Sequence, residues 1–191
     1  MSGIRLIVGL NNPGAQYEKT RHNAGAWFVS QLAHQIGAVF SEESKFFGSI
    51  TKGSIEQQPV YLLLPQTFMN LSGQSVLAVA QFYKIPSQEI LIVHDEIDFP
   101  AGTVRLKLSG GAGGHNGIRD VASRLSTPDF WRLRIGVGHP GNSSQVESYV
   151  LQKPTADQQR DIDYAIEQSL SIIPDLIQGN FEEAMLKLHS E

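Results

Sequence analysis

Short apolar runs of strand length recur along this chain, separated by stretches whose apolar residues fall at helical spacing. That alternation restricts the chain to an α/β architecture. Ile4–Leu10, Val60–Leu64, Ile90–Val93 and Trp131–Val137 read as buried strands, and Thr103–Leu108 alternates as a half-buried one. Between them, Ala24–Ile36 carries Trp27, Phe28, Leu32 and Ile36 at helical positions, with Gly37 placed to stop it. Ser72–Tyr83 is a second helix, ended by Ile85-Pro86. Asn116–Leu125 is a short helix after a glycine loop, and Thr155–Ile173 and Phe181–Leu188 are helices near the end. Strands interleaved with helices predict an α/β fold: a single-domain, three-layer sandwich with a twisted mixed, largely parallel sheet and helices on both faces. The 191 residues fit one domain, 1–191, with acidic helices from about 155.

Composition removes several functions. With no cysteine there is no disulfide, no thiolate zinc site and no cysteine nucleophile. No apolar run approaches the ~18 residues of a membrane span. The opening Met1–Leu10 is too short and too quickly polar for a signal peptide, so a cytoplasmic protein without membrane contact is expected. Net charge is −4, but it is unevenly spread: residues 101–153 hold 7 basic and 3 acidic side chains, whereas residues 154–191 hold 2 and 8. A basic middle segment fits either a local phosphate-binding face or chance clustering on solvated elements.

The unusual polar residues share one place in the pattern. Asn11-Asn12-Pro13-Gly14 follows the first strand, Pro65–Asn70 the second, His94-Asp95-Glu96 the third and His139-Pro140-Gly141 the strand Trp131–Val137. Gly110–Gly117 follows Thr103–Leu108. Ligands of open α/β sheets bind just beyond the carboxyl ends of the strands, so these five segments converge on an expected site. The five glycines of Gly110–Gly117 are not at dinucleotide-fingerprint spacing, although backbone N–H groups at the start of a helix can hold an anion. The simpler reading of that loop is a tight turn.

The chemistry is narrowed by what is missing. Gly73-Gln74-Ser75 is followed by Leu77 where a nucleophile elbow needs a second glycine, and there is no helical His pair flanking a glutamate and no phosphate-loop lysine motif. A histidine base that activates water is the simplest chemistry left. His34 and His189 read as structural or solvated, and His139 as a turn cap. His94 and Asp95 are neighbours on a strand end and so point to opposite faces. His22 and His115 lie in polar loops where functional residues concentrate. Asp95, which closes an apolar strand, is the natural carboxylate to fix a tautomer. Asn12, Asn70 and Asn116 suit a substrate with amide and carbonyl groups; singly, each also reads as a turn or cap residue.

Six segments in order resemble one family. Gly9-Leu10-Asn11-Asn12-Pro13-Gly14, Arg21-His22-Asn23-Ala24-Gly25, Phe68-Met69-Asn70-Leu71-Ser72-Gly73, His94-Asp95-Glu96-Ile97-Asp98, Gly114-His115-Asn116-Gly117 and Arg132-Leu133-Arg134-Ile135-Gly136 are similar to the motifs of bacterial peptidyl-tRNA hydrolases, from about Leu6 to Lys153. The resemblance implies a single α/β domain that works as a monomer without metal or organic cofactor. It implies hydrolysis of the ester between a peptide and the 3′-terminal ribose of tRNA, with stalled large ribosomal subunits as a further partner. By motif, His22 takes the place of the general base and Asp95 of its orienting partner. Asn12, Asn70 and Asn116 take substrate-holding positions, and Tyr17 and Phe68 line the site. Lys107 and Arg134 take the place of residues that grip the tRNA 5′ phosphate, which fits the basic middle segment.

Two rival readings remain open at this level. One is a non-catalytic RNA-binding protein on the same fold, of the splicing-factor kind. The other, further off, is a mononucleotide-binding α/β enzyme using Gly110–Gly117.

Overall fold

Among the residues described by the computed structural model, 2–189, seven strands form one mixed sheet. The ends of the expected domain, Met1, Ser190 and Glu191, lie outside the described residues. The strands are β1 Leu6–Gly9, β2 Ser41–Glu43, β3 Gly48–Ile55, β4 Gln58–Pro65, β5 Ile90–Glu96, β6 Val104–Leu108 and β7 Trp131–Gly136. They lie in the order β2-β3-β4-β1-β5-β7-β6. β4, β1, β5 and β7 are mutually parallel, while β2/β3, β3/β4 and β6/β7 pair antiparallel. The helices are α1 Ala24–Gln35, α2 Ser72–Tyr83, α3 Asn116–Leu125, α4 Val146–Val150, α5 Ala156–Leu170, α6 Ile173–Ile177 and α7 Phe181–His189.

The central strands read as unbroken apolar runs because both of their faces are covered. Leu6, Val8, Ile90 and Ile92 pack with Val76 and Val79 of α2 and Ile118 and Val121 of α3. The alternate residues Ile7, Leu91 and Val93 pack on the other face with Phe28 and Leu32 of α1, Ile162 and Ile166 of α5 and Phe181 of α7. Each fully buried aliphatic side chain of this kind contributes roughly 1.5–3 kcal/mol. The three-layer α/β reading is therefore confirmed, and the parallel strands deliver their carboxyl ends to one edge.

Five features depart from the sequence reading. First, residues between α1 and Val60 contain β2 and β3, and β4 starts at Gln58. β3 was illegible because Ser, Thr, Lys and Gly fill most of its positions. Its turn to β4 was hidden as well: Ile55 pairs with Gln58, so Glu56-Gln57 is a two-residue hairpin loop, at φ 52° and 64°. That conformation favours Asn-Gly. Replacing Glu56-Gln57 with Asn-Gly should therefore remove left-handed strain of roughly 1–2 kcal/mol per residue less the entropy cost of glycine. A rise in Tm of ~2–4 °C is the expected result in a thermal melt; a fall would contradict the strain.

Second, β5 runs on to Glu96, so His94 and Asp95 belong to the strand rather than follow it. Third, β6 is antiparallel to β7, so Gly110–Gly117 leaves from the opposite edge of the sheet and not from the ligand-binding edge. Arg132, which gives Nη1 to the Gly111 carbonyl and Nη2 to the carbonyls of Gly110 and Pro128, holds the returning loop. Fourth, the expected helix Thr155–Ile173 divides into α5 and α6, because Pro174 has no N–H to offer the Leu170 carbonyl. Thr155 is the N-cap of α5 in a capping box with Gln158. Fifth, the short helix α4 was not foreseen.

Candidate active site

Two glycines let α1 start directly against the sheet. A Cβ on Gly9 would stand 2.5 Å from the Gly25 carbonyl oxygen, and one on Gly25 would stand 2.1 Å from that of Val93. This close approach sets the helical turn Arg21–Asn23, just before α1, over the end of β5. Asn23 then stitches the loops together. Its Oδ1 accepts from the Asn12 N–H at 2.9 Å, and its Nδ2 donates to the Asn12 carbonyl at 3.0 Å and to Asn11 Oδ1 at 2.9 Å. Asn12 Oδ1 in turn accepts from the Met69 N–H at 2.6 Å. The loops after β1 and β4 are thus fixed to the turn that carries His22.

Asp95 is buried and receives two imidazoles. His22 Nδ1 lies 2.9 Å from Asp95 Oδ2 and 3.0 Å from Oδ1, and His115 Nε2 lies 2.8 Å from Oδ1. The two rings are 4.8 Å apart. His115 is the N-cap of α3, and its Nδ1 accepts from the N–H groups of Gly117 and Ile118 at 3.1 and 3.3 Å. Nδ1 is therefore the unprotonated nitrogen, and Nε2–H donates to the carboxylate. His22 donates Nδ1–H to the same carboxylate, and its Nε2 has no partner among the described residues.

Electrostatics follow this geometry. Burial disfavours the charged form of Asp95, but the charges and hydrogen bonds of the two imidazoles outweigh it and hold the carboxyl well below the usual range. Burial likewise opposes the His22 imidazolium, and the Asp95 carboxylate outweighs it, so the His22 pKa is raised. His94 behaves differently. Burial, with the neighbouring His115, pushes it down to about 3. It is neutral and donates Nδ1–H to the Asp95 carbonyl at 2.8 Å. The expected separation of His94 and Asp95 by strand alternation does not keep them in different neighbourhoods, because His115 contacts both: its ring is 5.0 Å from that of His94.

His22, Asp95 and His115 bring one ligand atom each within 4.8 Å of one another, the spacing of a metal triad. The tautomers argue against that use. His115 Nδ1 is already the acceptor for two amide N–H groups, so a metal on Nε2 would require an anionic imidazolate. The same cap answers the anion reading of the glycine loop, since these N–H groups at the start of α3 are taken by the ring. Gly110, Gly113 and Gly114 have φ of 114°, 57° and 82°, which the turn requires.

The site opens into a cleft of about 630 Å³. Asn12, His22, Phe68, Asn70, Asp95 and Asn116, all singled out in the sequence, line it together. Asn12 Nδ2 has no partner among the described residues, and Asn116 Oδ1 accepts from Arg119 Nη1 at 2.8 Å. Tyr17 is not among the lining residues; its carbonyl ties the turn through the Thr20 N–H. His139 lines the cleft and also caps its own turn at the Gly141 N–H. His34 is exposed on α1, and His189 accepts from the Leu106 N–H. Ser75 is fully buried with its hydroxyl given to the Phe46 carbonyl, which removes it as a nucleophile. The sequence alone gives His115 no assigned role, whereas the structure makes it the second imidazole on Asp95. Its position just before the helix Asn116–Leu125 was the available signal. The α4 wall, with Glu147 and Val150, was not visible at all.

Lys107 and Arg134 lie outside the cleft that His22 and His115 line, beside a smaller hollow of about 270 Å³ that His94 also lines and that shares Glu96, Ala112 and Gly113 with the cleft. Lys107 pairs across from Arg132, and Arg105 from Arg134, so all four cations project from one face of the β6/β7 ribbon. Arg132 is spent on loop carbonyls. Arg134 lies over the Phe99 ring at 4.8 Å, with Glu96 3.9 Å from its Nη1.

Comparisons agree with this architecture. The family model described as Peptidyl-tRNA hydrolase matches residues 6–191. The peptidyl-tRNA hydrolase of Neisseria gonorrhoeae is 53% identical over 98% of both chains. That of Methylobacillus flagellatus is 54% identical over 100% of this chain and 99% of its own. The crystal structure of the Acinetobacter baumannii peptidyl-tRNA hydrolase superposes with a TM-score of 0.96 at 49% identity, covering 98% of this chain and 95% of that one. With the family model matching residues 6–191, relatives more than half identical over nearly the whole chain and the same fold beneath them, this chain belongs to the peptidyl-tRNA hydrolase family.

Proposed function

We propose that this chain hydrolyses the ester between a peptide and the 3′-terminal ribose of tRNA, with His22 as the base that activates water. The observation that carries the reading is the buried Asp95 that takes Nδ1–H from His22, a residue lining the cleft, and leaves its Nε2 without a partner among the described residues. Nε2 removes a proton from water, whose oxygen bonds to the ester carbonyl carbon. The tetrahedral intermediate then expels the ribose 3′ oxygen, which receives the proton from His22. Free tRNA and a peptide carboxylate are the products. A positioned base supplies ~10²–10⁴-fold, and a donor aimed at the developing oxyanion adds roughly 10²–10³. The unpartnered Nδ2 of Asn12 and the amides of Asn70 and Asn116 provide such donors and hold the peptide main chain. That lets one site accept many side chains. Phe68, which lines the cleft, supplies apolar surface for the tRNA end and the first peptide residues.

In this reading the cationic face of β6/β7 receives the tRNA backbone through Lys107 and Arg134 on the 5′ phosphate, while the buried Arg132 holds the loop beside them. Phosphate contacts position the substrate without reading bases. The protein acts as a cytoplasmic monomer on peptidyl-tRNA freed from, or held on, stalled large ribosomal subunits, and water is the co-substrate the chemistry needs. Incubation with an N-acetylated aminoacyl-tRNA tests the reading. Rapid release of free tRNA, with the unblocked aminoacyl-tRNA spared, supports it; binding without release favours the non-catalytic RNA-binding alternative. Lys107→Ala or Arg134→Ala should weaken tRNA binding and reduce its salt slope by about one phosphate contact. An unchanged slope in titrations across salt concentration would remove both residues from the phosphate role.

A further inference from the structure

Next to His22 in the chain sits a buried cation with no anionic partner among the described residues. Arg21 is 4% exposed, and each of its partners among the described residues is neutral. Nη1 donates to the Tyr149 carbonyl at 2.9 Å and reaches the Gln152 carbonyl at 3.5 Å; Nη2 donates to Gln158 Oε1 at 2.8 Å. The guanidinium lies 3.7 Å from the centre of the Tyr149 ring, and the Arg21 backbone N–H donates to the Gln152 carbonyl at 3.0 Å. Its Nε is buried without a partner. A buried charge held only by neutral acceptors is an expensive way to fill space, and an apolar side chain of similar volume would do so at lower cost. What the arrangement gains is direction, because a planar fork stacked on a ring fixes several groups at once.

The groups so fixed belong to four separate segments. Tyr149 is in α4, whose Val146, Glu147 and Val150 line the cleft. Gln158 lies in the first turn of α5 and closes its capping box. The Tyr149 hydroxyl donates to the Val137 carbonyl at the exit of β7 and accepts from Gln158 Nε2, at 2.8 and 3.2 Å. The fourth segment is the turn Arg21–Asn23 itself, which presents His22 to Asp95. Neither Arg21 nor Gln158 lines the cleft.

The geometry points to Arg21 as a positioning residue that locks the α4 wall of the cleft to the turn carrying His22, so that bound substrate and base keep one spacing. The inference rests on the reading of His22 as the base. Arg21→Lys keeps the charge but loses the fork and the stacking. A misplacement of ~1 Å costs on the order of 10²-fold, so kcat/KM should fall by about that factor, with KM and kcat each contributing about tenfold. Asp95 from β5 and His115 from the start of α3 are the titratable groups packed against His22. As the His22–Asp95 contact loosens, the acid limb of kcat/KM should move to lower pH. Gln158→Leu, remote from the cleft, should raise KM in the same direction by a smaller factor.

Both variants are to be assayed with N-acetylated aminoacyl-tRNA beside His22→Ala, well below their melting temperatures. Lower Tm with unaltered KM, kcat and acid limb would reduce Arg21 to a structural role and overturn the inference. If Arg21→Lys does not fold, Gln158→Leu decides: a raised KM supports the lock and an unaltered one refutes it. Normal turnover by His22→Ala would instead strike the base assignment.

Discussion

Replacing His22 with alanine is expected to abolish most turnover while leaving tRNA binding within about twofold. The loss should lie in the ~10²–10⁴-fold range of a positioned base. Binding survives because the proposed phosphate contacts, Lys107 and Arg134, line a separate hollow beside the β6/β7 ribbon. Asp95 keeps His115 as a partner in the variant, so the buried carboxylate is not stranded. Single-turnover release from N-acetylated aminoacyl-tRNA gives the rate, and a binding titration with deacylated tRNA gives the affinity. Turnover near the wild-type rate would defeat the assignment of the base.

Asp95→Asn is expected to cost on the order of 10³–10⁴-fold in kcat at neutral pH, the scale seen when a triad carboxylate becomes an amide. Asp95 accepts N–H groups from both histidines. An amide in its place offers one oxygen and an NH₂ group. With the oxygen kept at the Oδ1 position for His115, the NH₂ takes the place of Oδ2, the nearer of the two oxygens to His22 Nδ1, and favours that nitrogen as an acceptor. That moves the His22 proton to Nε2 and blocks the base. The pH dependence carries the same signature. Asp95 raises the His22 pKa against the opposing effect of burial, and only neutral His22 accepts a proton. Wild-type kcat/KM should therefore climb with pH through a value above the ordinary 6.5. In the variant, the acid limb of the residual activity should move to lower pH. A limb that stays in place would show that Asp95 does not set the His22 pKa.

The pair also shapes stability against pH, and the two signs differ. The raised His22 pKa contributes stability that is complete below 6.5 and lost as pH rises through the folded-state value. The depressed Asp95 pKa contributes stability present above 3.8 and lost as pH falls toward its folded-state value. The contribution is therefore greatest between those two ordinary values.

The central strands were legible because burial on both faces leaves a continuous apolar run, as in Leu6–Val8 and Ile90–Val93. The β3/β4 hairpin was not, because β3 is polar and Glu56-Gln57 lacks the usual turn residues. Of the site, Asn12, His22, Phe68, Asn70, Asp95 and Asn116 were named from sequence and meet in one cleft. Tyr17 was named and does not line it. The glycine loop was placed at the wrong edge of the sheet because a strand's direction leaves no trace in its own residues. β6 runs antiparallel to β7, and the loop reaches the site only because it turns back along the sheet.

The residues alone determined the α/β class, the inventory of imidazoles and amides, and the absence of thiol chemistry, since each of these depends on local periodicity or composition. Tertiary structure decided that two imidazoles share one carboxylate, which nitrogen of each bears the proton, and that Arg21 joins α4 to the His22 turn. Those facts depend on contacts between positions as far apart as 73 residues for His22 and Asp95 and 128 for Arg21 and Tyr149. Their distances and directions are set by how the layers pack, and no local pattern encodes them.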